Sequence, residues 1–121
     1  MKIAIVGSRG FQNYELLKHH IISYFSEEDF FSIEEIISGG ARGADELGER
    51  FARDFNIPLK LFKPDWDKYG KKAGFLRNID IINACDICFA FWDGESKGTK
   101  HDIDLCEKNN KICSICLYDK Q

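Results

Sequence analysis

No apolar run in these 121 residues approaches the length of a membrane-spanning helix. The N-terminal apolar run, Ile3 to Val6, is too short for a signal-peptide core, so the expected location is the cytoplasm. A basic excess is also missing. Seventeen Lys and Arg against 20 Asp and Glu leave a net charge of -3, which argues against holding nucleic acid by bulk charge. Five cysteines cannot complete a set of disulfides within one chain, and reduced thiols are expected. Cys85/Cys88 and Cys113/Cys116 have Cys-x-x-Cys spacing, but both pairs belong to apolar runs that read as strands. Residues three apart on a strand face opposite sides, so a four-cysteine zinc site is not expected and no metal or cofactor is called for. The chain also lacks a Gly-Lys-Ser/Thr phosphate loop, which argues against nucleoside triphosphate hydrolysis. The dinucleotide fingerprint is incomplete: Gly7-Ser8-Arg9-Gly10 has no third glycine, and no acidic residue closes the second strand.

What is present is a regular alternation. Lys2–Val6, Glu35–Ser38, Leu59–Phe62, Asp86–Trp92 and Ile112–Leu117 read as strands, most of them continuous apolar runs. Between them, helical spacing appears after Asn13, over Ala44–Phe55, over Lys71–Ala84 and over Thr99–Asn109. Glu27–Asp29 reads as an acidic loop and Asp65–Gly70 as a loop carrying Trp66 and Tyr69. Continuous apolar strands suit a sheet covered on both faces. The expected fold is α/β: a Rossmann-like three-layer sandwich with a parallel five-stranded sheet, over one domain of residues 1–121. His19 and His20 are expected at the surface, and the rings of Phe25, Phe30 and Phe31 in the core or at an interface.

Ligands of such sheets bind beyond the carboxyl ends of the strands, where the strand order reverses. Four segments must line that edge. After the first strand come Gly7, Ser8 and Arg9. After the second come Ser38, Gly39, Gly40, Arg42, Gly43 and Asp45. After the third come Trp66 and Tyr69. After the fourth come Trp92, Asp93, Ser96, Lys97, Gly98 and Thr99. Glycine turns let a ligand approach the backbone, and a following helix start aims unpaired N–H groups at an anion. Arg9, Arg42 and Lys97 would offset phosphate charge. Trp66, Tyr69 or Trp92 would stack on a base. Arg77-Asn78 stands in an otherwise apolar helix that can aim both at the site, and Asp45, Asp93 and Asp102 could hold ribose hydroxyls or act as a general base. His101 could titrate near neutrality.

Ile5–Arg9, Ser38–Asp45, Gly74–Asn78 and Ser96–Thr99 occur in the order and spacing of the SLOG superfamily. That superfamily joins the DNA-processing protein DprA/Smf to the "lonely guy" phosphoribohydrolases. The chain most resembles its small YspA/cpYpsA-related branch, common in bacteria and phages, from Met1 to about Ile115. The resemblance implies a site for nucleotides or nucleotide-derived molecules. The phosphoribohydrolases carry Gly-Gly-x-Gly-Thr-x-x-Glu, ending in a catalytic carboxylate. Here the matching stretch is Glu95–Asp102: both leading glycines are replaced, and Asp102 stands at the carboxylate position. The family pairs that acid with an arginine on the preceding helix, a place Arg77 fills. The leading expectation is a protein that binds a small nucleotide-derived ligand, such as an ADP-ribose-like or cyclic-nucleotide signal, for sensing or sequestration. The second is an N-glycosidic hydrolase of nucleoside monophosphates with Asp102 and Arg77 as its catalytic residues. Single-stranded DNA binding comes third, and nucleic acid is not the expected partner. Self-association into a dimer or larger is expected, as in related members.

Overall fold

The structure is a computed structural model that describes residues 1–119. Its strands are β1 (Lys2–Gly7), β2 (Glu35–Ser38), β3 (Leu59–Leu61), β4 (Ile87–Trp92) and β5 (Ile112–Leu117). Its helices are α1 (Tyr14–Tyr24), α2 (Glu27–Phe31), α3 (Ala44–Asp54), α4 (Trp66–Tyr69), α5 (Ala73–Ala84) and α6 (Lys97–Lys108), with a 3₁₀ turn at Gly70–Lys72. All neighbouring strands pair in parallel, in the order β3-β2-β1-β4-β5. The chain builds outward from β1 to β3, returns to the other side of β1, and builds outward again. The order therefore reverses between β1 and β4.

Strand alternation sorts the core into two layers. Ile3 and Ile5 of β1, Ile36 of β2, and Ile87, Phe89 and Phe91 of β4 pack with α1 and α3. Ala4, Val6, Ile37, Cys88 and Ala90 point the other way, against Ile81 and Ile82 of α5 and Cys106 of α6. Small residues on this second face let α5 and α6 lie close to the sheet. On the first face, Gly48 of α3 plays that part for β1: a methyl group there would stand 2.9 Å from Ile5.

Three expectations change. Glu27–Asp29 is not a loop but the first turn of α2. Ser26 caps it by accepting from the Asp29 N–H at 3.1 Å, and three acids stand where the helix dipole favours them. Asp65–Gly70 likewise holds α4, capped by Asp65 accepting from the Lys68 N–H at 3.1 Å. His20 is half-buried: its ring meets Phe89 and Phe91 edge-on and bonds Ser114 at 2.9 Å. Phe25 and Phe30 join the ring cluster of the first core, whereas Phe31 is exposed. No helix among the described residues is long and apolar enough to cross a membrane.

Candidate functional site

The turns after β1 and β4 are tied together. The Ser8 N–H donates to the Phe91 carbonyl at 2.9 Å, and the Asp93 N–H donates to Ser8 Oγ at 3.3 Å. Asp93 in turn accepts from the N–H groups of Glu95 and Ser96 at 2.9 and 2.8 Å, shaping the turn into α6. Ser96 caps that helix through the Thr99 N–H. The first N–H groups of α6 thus face the β1 turn across the strand-order reversal.

The turn after β2 closes the third side. Gly43 sits at φ 79°, a left-handed conformation that favours glycine, and a side chain there would run into the Arg9 carbonyl. This close approach seats the start of α3 against the β1 turn, where the Ala44 N–H donates to the Ser8 carbonyl at 3.3 Å. Ser38, wholly buried, donates to the Asp45 carbonyl at 3.2 Å. The Asp45 carboxylate accepts from the Ala41 N–H at 3.2 Å. Arg77 reaches across from α5 and donates to the Gly39 carbonyl at 2.7 Å and to Asn78 Oδ1 at 3.2 Å. A Cβ at Gly39 would stand 2.7 Å from Arg77 Nη1 and 2.9 Å from Asp45 Oδ2, so a side chain there would displace both groups. Asn78 continues the chain to His101 Nδ1 at 3.1 Å, and Phe75 meets the His101 ring edge-on.

These elements enclose a cavity of about 430 Å³. Gly7, Ser8, Arg9, Asp45, Arg77, Asn78, Asp93, Ser96, Gly98, Thr99 and Asp102 all line it. A groove of about 530 Å³ lies beside it, sharing Arg9, Ala41 and Arg77, and is walled by Gly39, Gly40, Arg42 and Trp66. Not every expected residue arrives. Ser38 and Gly43 hold the turn together and line neither space. Tyr69 is exposed and lines neither. Trp92 and Lys97 fall on the far side of α6, in a separate groove with Lys100, His101 and Asp104. The cause is the Trp92 indole N–H, which hooks under the turn to donate to the Ser96 carbonyl at 3.1 Å. Sequence reasoning missed the apolar floor, Val6 and Ile81. Ile81 was legible as the residue one helical turn beyond Arg77.

Two carboxyl groups dominate the electrostatics. Burial pushes Asp45 up to about 6, against the Ala41 hydrogen bond and the Arg77 and Arg9 charges, which favour the ion. Burial raises Asp102 well above the carboxylate range, and the Asp45 charge raises it further. Asp45 therefore ionises first and its charge holds the proton on Asp102. The cavity thus sets two carboxyl groups of unequal acidity beside two guanidinium groups. Asp102 Oδ1 is buried and has no hydrogen-bond partner, an arrangement that costs stability unless something in the cavity meets it.

The fold and this cavity define a class: Rossmann-like α/β proteins with a polar cleft at the strand-order reversal. More narrowly, the chain belongs to the YspA, cpYpsA-related SLOG family, whose profile matches residues 1–69. That stretch holds the Gly7–Arg9 and Ser38–Asp45 turns and ends before Arg77 and Asp102. The chain is similar to the "Gene 61 protein" of Mycobacterium phage D29, 46% identical over 79 residues, or 60% of this chain and 63% of that protein. No solved structure matches.

Proposed function

We propose that the cavity binds a small nucleotide-derived ligand, of the ADP-ribose-like or cyclic-nucleotide kind, for sensing or sequestration. One observation carries this reading: glycine-turn N–H groups, two arginines and two buried carboxyl groups converge on one 430 Å³ space. A phosphate suits the Gly7–Gly10 turn, the start of α6 and Arg9. Ribose hydroxyls suit Asp45 and the unpartnered Asp102 oxygen. The base then leaves through the side shared with the groove, toward Trp66, which is 53% exposed and free to stack. Family membership supports a nucleotide-related role. The size lies within the range of small-molecule pockets, about 300–1,000 Å³. Thermal denaturation with a panel of nucleoside monophosphates, cyclic nucleotides and ADP-ribose tests the proposal. A member present at a hundred times its Kd should stabilise the fold by about 2.7 kcal/mol. A denaturation midpoint that no member moves would count against it.

The Asp45–Asp102 pair favours a second reading, N-glycosidic hydrolysis of nucleoside monophosphates. Environments that split two carboxyl groups into an acid and a base are a mark of acid–base catalysis. Asp102, protonated, would donate to the departing base, Asp45 would draw a proton from water, and Arg77 would hold the phosphate. Base release that is absent in Asp102→Asn supports hydrolysis. Ligand binding without base release supports the binder.

A further inference from the structure

Cys88 and Cys113 stand side by side in the register of β4 and β5, on the sheet face covered by α5 and α6. Cys106 comes down onto the same place from α6, one helical turn beyond Asp102. The three Sγ atoms lie within 4.8 Å of one another. Cys88 and Cys106 are fully buried and Cys113 is half-buried. The Cys-x-x-Cys spacings do not produce this cluster. Cys116 belongs to the opposite core, and Cys85 lies before β4 as the C-cap of α5. The triad joins three separate elements, which is why spacing along the chain did not reveal it.

We propose that Cys88, Cys106 and Cys113 form a binding site for one thiophilic d¹⁰ cation of the Zn(II) or Cu(I) type. Sulfur atoms around such an ion lie about 2.3 Å from it, hence roughly 4 Å from each other. The triad needs to close by less than an ångström or so to reach that spacing. Three sulfur donors select soft cations against magnesium and calcium, which require oxygen. Binding displaces three thiol protons to solvent, and the resulting thiolates are neutralised by the ion. With Zn(II) the site carries one residual negative charge. Lys111 stands beside the site: its backbone N–H donates to the Cys106 carbonyl at 2.8 Å and its ammonium to the Cys85 carbonyl at 2.7 Å. An ion at this point fastens α6 to β4 and β5, and α6 carries Asp102 and the helix start that wall the cavity.

The test is an anaerobic titration of the reduced full chain with Zn(II), followed by X-ray absorption spectroscopy of the loaded protein. The expected result is one Zn(II) per chain with three sulfur neighbours at about 2.3 Å. Zinc held by oxygen and nitrogen alone, or no binding at all, overturns the proposal, and this arm needs no variant. Cd(II) provides a second readout through thiolate-to-metal absorption. Cys113→Ala removes the most accessible ligand and should lose the absorption, with affinity down by at least roughly a hundredfold. Cys116→Ala, outside the triad, should keep both. Absorption retained in Cys113→Ala overturns the assignment. None of these outcomes depends on whether the cavity binds a nucleotide.

Discussion

Asp45 and Asp102 are carboxyl groups whose ionised forms are disfavoured by burial. A buried carboxyl whose proton is held more tightly in the folded than in the unfolded chain destabilises the fold as pH rises. For Asp45 the window runs from 3.8 to about 6. Below it both states are protonated and the carboxyl costs nothing. Above it the ion is buried at a penalty on the order of 3 kcal/mol. Urea unfolding at pH 5 and pH 7.5 should therefore show wild-type stability falling with pH. Asp45→Asn, which keeps an oxygen for the Ala41 N–H, should fall less and be the more stable protein at pH 7.5. Equal pH slopes in the two proteins would contradict the assignment. Arg77 was legible at this scale as a charged residue in an otherwise apolar helix, and Asp102 as the acid at the carboxylate position of the motif that the chain resembles. The raised Asp102 was not, since its cause is burial beneath α5 and the charge of Asp45, neither visible in sequence.

At the scale of elements, β1 and β4 were read correctly because their apolar runs are buried on both faces of the sheet, and β5, a partly exposed edge strand, because Ser114 is the sole polar residue in its run. The misread segments are short helices held by one cap each. Ser26 and Asp65 make α2 and α4 in runs of five and four residues, too short for helical periodicity to declare itself. The same locality explains Trp92 and Lys97. Both lie at the end of β4 and the start of α6 as expected, but the indole bond to Ser96 holds Trp92 in the outer groove, which Lys97 also lines. Ser96 holds the opposite end of that arrangement, since its hydroxyl caps the helix whose free N–H groups face the cavity. Ser96→Ala should cost about 1 kcal/mol of stability, read as a lowered urea midpoint at an unchanged slope. Ser96→Asp should recover most of it. Failure of Ser96→Asp to recover stability would show that the hydroxyl acts through Thr99 Oγ1, 3.2 Å away, and not through the cap.

Across the whole molecule, the strand order puts the cavity where a doubly wound sheet leaves a crevice, between β1 and β4. Five of the six buried polar residues among those described line it, Ser8, Asp45, Asn78, Thr99 and Asp102, and the sixth, Ser38, holds the adjoining turn. Buried polar atoms are nearly always hydrogen-bonded, and Asp102 Oδ1 is the buried side-chain oxygen without a partner among the described residues. Arg77 lines both the cavity and the groove and, with Arg9, supplies the positive charge that the proposed ligand would meet. The most direct measurement is a calorimetric titration of AMP, cyclic AMP and ADP-ribose into wild type, Arg77→Ala and Asp102→Asn. The account predicts saturable binding of at least one of them at one site per chain, weakened at least roughly tenfold by Arg77→Ala, the loss of about 1.4 kcal/mol expected when a charged partner is removed. Binding of the same strength in wild type and both variants would contradict it.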